Sequence, residues 1–231
     1  MSSLHIISGG AAQGLVDALR GSIYNETGRA VEGSFGAVGL MRDKLLAGEP
    51  CDVLILTQAL IDELTAQGHV LRGSATPLGV VKTGVAVKSG EPQPKVDTAE
   101  ALKAALLAAK GIYFPDPIKA TAGIHVMSVL KQLGIAQQVA GALRPYPNGA
   151  TAMKEMAAAS GPGLIGCTQV TEILYTPGVQ LINVLPKKFE LATVYTAAIA
   201  TKAEQPQAAR MMIDLLAAPA AAELRRSGGF E

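Results

Sequence analysis

Leu4-His5-Ile6-Ile7-Ser8-Gly9-Gly10-Ala11 is a short apolar run that ends in a serine and three small residues, and Ala30-Val31-Glu32-Gly33-Ser34-Phe35-Gly36-Ala37 repeats the step. Each leads into a helical stretch. After the first, Leu15, Leu19 and Ile23 recur at four-residue spacing, which is one apolar face of a helix. A strand that turns into a helix through small residues leaves the first N–H groups of that helix uncovered, and those groups favour an anion. Two such turns from neighbouring strands predict a small anionic ligand held by backbone and hydroxyl donors. Ser8, Gly9, Gly10, Ser34, Gly36 and Ala37 are the candidate contacts. For each serine taken alone, an ordinary helix N-cap is the competing explanation.

The alternation continues along the chain. Strand-like runs at 4–7, 30–33, 53–56, 111–114, 141–144 and 164–167 are each followed by a helical stretch, the pattern of parallel sheets flanked by helices. Residues 98–110 form an Ala/Leu helix with Asp97 or Thr98 as its cap, and 205–226 reads as two helices parted by Pro219. Two β-prone stretches, 78–88 and 189–200, break the rhythm. Both exceed the usual strand of about five or six residues, and a long strand can pass from one sheet to another. Their positions predict a two-lobed α/β chain, with residues 1–82 and 194–231 in one lobe and 83–193 in the other. Two crossing strands imply a hinge and a ligand cleft beside it.

At 231 residues such a chain buries a sufficient core without disulfides. Cys51 and Cys167 lie far apart and outside any C-x-x-C, so they read as buried, reduced thiols; Cys167, at a strand end, is the one a ligand could approach. The formal net charge of +1 and the lack of any Lys/Arg stripe disfavour nucleic acid and anionic membranes as partners. Aromatic residues at 4%, with no Trp, argue against base stacking. No apolar run reaches the length of a membrane span. No basic segment and apolar core precede Leu4, so with Met1 as the natural start the protein is expected in the cytoplasm, and in the periplasm if a leader has been removed. Composition leaves the oligomeric state open.

Common catalytic signatures are missing: Gly9-Gly10-Ala11-Ala12-Gln13-Gly14 is not G-x-G-x-x-G, and there is no phosphate-binding G-x-x-x-x-G-K-[ST] and no G-x-S-x-G. His5, His69 and His125 have no neighbours at metal-ligand spacing, so neither a metal nor a cofactor is expected. In parallel α/β sheets ligands bind beyond the carboxyl ends of the strands. In the second lobe those positions offer Lys119, Thr121, Ala122 and Gly123 after Tyr113-Phe114-Pro115-Asp116-Pro117, then Arg144, Asn148, Gly149 and Gln169. Arg144 would supply a counter-charge for a carboxylate, with a solvated surface arginine as the plain alternative. The Asn148-Gly149 pair also fits a simple turn and cap. His125, read into the first turn of its helix, points either at the cleft or into the core. Facing the cleft it would stay neutral beside the positive helix end, which makes it the candidate catalytic base.

Taken together, several segments resemble the extracellular solute-binding proteins of the molybdate-binding type, which have the type 2 periplasmic-binding-protein fold. They are Ser8-Gly9-Gly10, Ser34-Phe35-Gly36-Ala37, Leu46-Ala47-Gly48-Glu49-Pro50-Cys51-Asp52-Val53, Asp116-Pro117 with Thr121-Ala122-Gly123, the second crossing strand, and the closing Ala217-Ala218-Pro219-Ala220-Ala221-Ala222-Glu223. The resemblance covers essentially the whole length. It implies two lobes, each a mostly parallel sheet flanked by helices, closing on a small anion. The molybdate binders carry more hydroxyls in the first two loops, and Cys167-Thr168-Gln169 stands where their Tyr-bearing turn is expected. That difference moves the expected ligand from molybdate to an organic carboxylate. Bacterial aconitate isomerases look like members of the same broad family. The alternative is therefore an allylic proton shift on an unsaturated di- or tricarboxylate, with Arg144 or Lys119 holding carboxylates and His125 moving the proton.

Overall fold

A computed structural model describes residues 3–231. Met1 and Ser2, on which the reading of the start of the chain rests, lie outside the described residues. The chain divides into two compact units, one running up to Val81 and resuming at Thr193–Glu231, the other Lys82–Ala192.

In the first unit, β1 (Leu4–Gly9) leads through a 3-10 turn (Gly10–Ala12) into α1 (Gln13–Thr27). Then come β2 (Val31–Gly36), α2 (Val38–Leu46), β3 (Val53–Thr57) and α3 (Gln58–Ala66). β4 (Thr76–Lys88) begins here and continues into the second unit. That unit adds α4 (Ala99–Ala108), β5 (Gly111–Pro115), α5 (Thr121–Gln132) and β6 (Leu143–Tyr146). It closes with α6 (Gly149–Ala158), β7 (Leu164–Gln169), α7 (Val170–Tyr175) and β8 (Val179–Val184). β9 (Ala192–Ile199), α8 (Pro206–Ala217) and α9 (Ala222–Ser227) complete the first unit, with Pro219 opening a 3-10 turn between the last two helices.

Each unit has its own core and its own set of strand pairings. In the first, β2, β1 and β3 are parallel neighbours and β9 runs antiparallel to β3. In the second, β6, β5 and β7 are parallel, β4 runs antiparallel to β7, and β8 is antiparallel to β4. Strands covered on both faces read as continuous apolar runs, as β3 does with Val53, Leu54, Ile55 and Leu56 all at 0% exposure. The first core joins these to Ile6, Ile23, Ile213 and Leu216, and the second gathers Ile112, Phe114, Leu130, Ile165 and Phe189.

Asp52 explains one of the motifs that carried the resemblance. Buried at 1% exposure, it accepts from the His5 N–H on one oxygen and from the Gln205 N–H on the other, both at 2.8 Å. A buried carboxylate needs such partners. These two tie the start of β1 to the start of α8.

Several boundaries differ from expectation. β1 and β2 extend to Gly9 and Gly36 because Ser8 pairs with Phe35 and Gly9 with Gly36, so the ladder runs on through the small residues. The strand expected at 141–144 starts instead at Leu143, after a 3-10 turn at Ala140–Ala142, since β5 offers partners only from Leu143 to Tyr146. Phe189, expected in the second long strand, closes a 3-10 turn (Lys187–Phe189), and β9 begins at Ala192. β8 was not anticipated; its half-buried residues give only a weak pattern.

Candidate functional site

At the carboxyl ends of β1 and β2 the two expected turns lie side by side, with Gly9 opposite Gly36. Ser8 is fully buried and its Oγ donates to the Gly9 carbonyl at 2.9 Å, so the hydroxyl is turned onto its own backbone. Gly9 stands where a Cβ would press on Val38 Cγ1 at 2.9 Å and Tyr195 Cε1 at 3.1 Å. Gly10 is buried in the following turn, and Ala37 takes the N-cap position of α2. Ser34 is a correction: it lies inside β2, not at its end, and its Oγ accepts from Lys44 Nζ at 3.1 Å. Lys44 also pairs with Glu49, so this hydroxyl belongs to a side-chain network rather than to the strand-end turn.

Side-chain capping separates the helices into two groups. Thr57 caps α3, Thr98 caps α4 and Asn148 caps α6, each oxygen accepting a main-chain N–H at 2.8 to 3.4 Å. Gly9, Ala37 and Ala120, before the 3-10 turn, α2 and α5, supply no side-chain cap. The starts after β1, β2 and β5, three of the positions where the sequence predicts an anion, are thus uncapped, as are those of α1, α7, α8 and α9.

In the second unit, Asp116 Oδ1 accepts from the N–H groups of Ile118 and Lys119 at 2.7 and 2.8 Å and fixes the turn after β5. Lys119 is exposed on that turn. Thr121, Ala122 and Gly123 open α5, and a Cβ on Gly123 would collide with the carbonyl oxygens of Pro115 and Asp116. Glycine therefore lets α5 start directly against the end of β5.

Four other expectations need correction. His125 is the fifth residue of α5, in its second turn, and its Nε2 sits 2.7 Å from the Phe189 carbonyl. A carbonyl only accepts, so Nε2 carries the proton and is committed to a structural bond. Arg144 is exposed on β6, and its Nη1 donates to the Gly141 and Leu143 carbonyls at 2.9 Å, the solvated alternative. Asn148 Oδ1 accepts the Thr151 N–H, which makes it the simple cap. Gly149 turns its N–H toward the protein's own carboxylate, Glu172.

The sequence reading missed Glu172. It lies on α7, is only 5% exposed, and its Oε2 accepts from Thr168 Oγ1 at 2.5 Å. Main-chain N–H groups of Ala150, Gly149 and Gln169 also donate to its carboxylate. Burial pushes its carboxyl above the ordinary range, against the pull of these donors. The signal was present as Gln169-Val170-Thr171-Glu172, an N-cap residue followed three positions on by Glu, the spacing of a capping box. Thr83 was missed as well. It opposes Gln169 across β4 and β7, and its buried Oγ1 has no hydrogen-bond partner. Gln169 itself is 3% exposed at the end of β7.

Lys82 faces Glu190 at 3.9 Å, and the hydrogen bond from Lys187 holds the Glu190 carboxyl below its ordinary range. Both thiols are buried and free, and burial pushes each up to about 12, so neither is a nucleophile at neutral pH. Among the described residues no group of three His, Cys, Asp or Glu side chains is placed to hold a metal ion, and no helix is long and apolar enough to cross a membrane.

Comparison with known proteins agrees with the architecture. A family model described as bacterial extracellular solute-binding protein matches residues 4–231. The aconitate isomerase of a Pseudomonas species is 26% identical over 242 residues, covering 100% of this chain and 88% of that protein. Among solved structures, the periplasmic molybdate-binding protein of Azotobacter vinelandii superposes with a TM-score of 0.80 at 19% identity over 99% of both chains. The sulfate-binding protein SubI of Mycobacterium tuberculosis gives 0.77 at 17% identity, over 100% of this chain and 86% of the other. These likenesses place the chain in the type 2 periplasmic-binding-protein fold.

Proposed function

Because the chain belongs to the bacterial extracellular solute-binding protein family, we propose that it binds a small anion, an organic carboxylate, and that each unit offers main-chain N–H groups for it: the first at the helix starts after β1 and β2, the second at the start after β5. The observation that carries this reading is that those starts combine the lack of a side-chain cap with small residues at the carboxyl end of a strand, whereas α3, α4 and α6 are capped. Unsatisfied N–H groups at a helix start take an anion readily, and a carboxylate accepts two or more of them. Gly9 and Gly123 stand where a Cβ would press on Val38 and on the Pro115 and Asp116 carbonyls, so glycine lets these turns form. Buried Thr83 Oγ1 adds a hydroxyl in the second unit. The shortage of usable hydroxyls in the first unit, with Ser8 and Ser34 both engaged, supports a carboxylate over a tetrahedral oxyanion.

The test is a thermal-shift panel of citrate, cis- and trans-aconitate, malate, sulfate and molybdate. Ligand binding to the folded state raises the melting temperature by mass action. A carboxylate is expected to raise it more than either inorganic anion. A response to molybdate or sulfate alone, or to none of the panel, overturns the reading.

The relationship to an aconitate isomerase over the full length favours a second reading, in which the bound acid undergoes an allylic proton shift. Incubation of cis- and trans-aconitate with the protein in deuterated water tests it. Deuterium at the allylic carbon establishes the reaction, and binding without exchange excludes it.

A further inference from the structure

We infer that Glu172 is a built-in anion: its carboxylate occupies the start of α6 in place of a ligand and so positions the turn that carries Gln169. This deepens the proposed carboxylate binding and rests on it for the ligand-dependent readout. Three observations carry it. The carboxylate collects the N–H groups of Gly149 and Ala150 from α6, that of Gln169 from its own helix, and the Thr168 hydroxyl, so one buried group joins β7, α6 and α7. Gly149 has no side chain at the one place where a Cβ would collide with that carboxylate and with Thr168 Oγ1. Asn148 caps the same helix through the Thr151 N–H, which accounts for a further donor of that end. Together these leave the start of α6 closed to an external anion.

A positioning role differs from plain packing in that a free carboxylate can replace it. In Glu172→Ala the removed carboxylate leaves a pocket lined by main-chain N–H groups, which formate fits. At pH 8, with chloride at equal ionic strength as the control, formate is expected to raise the Glu172→Ala melting temperature saturably by about 2–4 °C, the size of a stabilisation of about 1 kcal/mol in a chain of this length. Wild-type protein, whose site is filled, is expected to show no formate-specific rise. If Glu172→Ala is unfolded in chloride, far-UV circular dichroism reads whether formate folds it. Glu172→Gln keeps the volume but turns donors toward donors, and it is expected to fold, to ignore formate and to bind citrate or aconitate several-fold more weakly. Equal formate effects on wild type and Glu172→Ala, none on either, or Glu172→Gln binding as well as wild type would overturn the inference. If no polycarboxylate shifts the wild type, the proposed function fails, and formate rescue still decides the role of Glu172.

Discussion

A glycine without a side chain and a glutamate without water both mark places where the backbone is the working surface. At Gly123 even one methyl group collides with two carbonyl oxygens of the preceding turn. Gly123→Ala is therefore expected to lose about 1–3 kcal/mol, the usual cost of overpacking a tight contact. Gly141→Ala, where an added Cβ meets nothing within 4 Å, should stay within about 0.5 kcal/mol of wild type. Urea denaturation of the two variants gives the comparison, and equal midpoints would refute the close approach of α5 to β5. Glu172 makes a pH prediction. Its folded carboxyl is raised by burial, so the folded state keeps its proton to higher pH than the unfolded chain does. The stability linked to its bound proton is complete below the ordinary glutamate value of about 4.3 and is lost as pH rises through the raised value, above which the carboxylate still accepts from Thr168 and the main-chain N–H groups. Wild-type urea midpoints should fall across that window relative to those of Glu172→Gln; parallel profiles would contradict the shift. The thiols give a simpler expectation. With both pushed up to about 12, Cys51 and Cys167 should resist a disulfide-exchange reagent at pH 8 until the protein is unfolded.

Among the helices, the difference between capped and uncapped starts sets stability against binding. A side-chain cap contributes about 0.5–2 kcal/mol, yet α2 and α5 begin at alanines. Ala120→Ser adds a single oxygen at an extended N-cap position (φ −101°, ψ 127°). It is expected to raise stability by about 1 kcal/mol while weakening carboxylate-dependent thermal shifts, because the new hydroxyl takes an N–H that the ligand would use. A gain in stability with unchanged ligand response would show that α5 is not used. This division was only half legible in the sequence. Small residues after β1, β2 and β5 announced uncovered helix starts, and the alternation of strands and helices gave the layers. The partners of individual side chains could not be read: Arg144 and Asn148 look like binding groups until the neighbouring carbonyls and the Thr151 N–H are seen. The core-facing alternative for His125 could not be chosen without the Phe189 carbonyl, and the capping-box spacing at Glu172 gave no hint of its contact with Gly149; both partners lie far off in sequence.

For the molecule as a whole, each unit has its own buried core, and the first is assembled from both ends of the chain. The final residues take part in it. Val80 and Glu231 exchange both main-chain hydrogen bonds at 2.8 Å, and Phe230, 4% exposed, lies against Gly79. Gly79 has φ +147° and would bring a Cβ to 3.2 Å from that of Phe230, so the strand and the closing residues are fitted to each other there. Phe230→Ala removes a buried ring at this seam and is expected to cost about 3–5 kcal/mol. If the two cores unfold as separate cooperative units, the loss falls on the first alone. Hydrogen exchange read by mass spectrometry should then accelerate in β1, β3 and β9 and stay unchanged in β5, β7 and α4. Acceleration spread evenly over all six would instead make the chain one cooperative unit, in which the last residues of the chain govern the stability of the Glu172 network as much as that of β1.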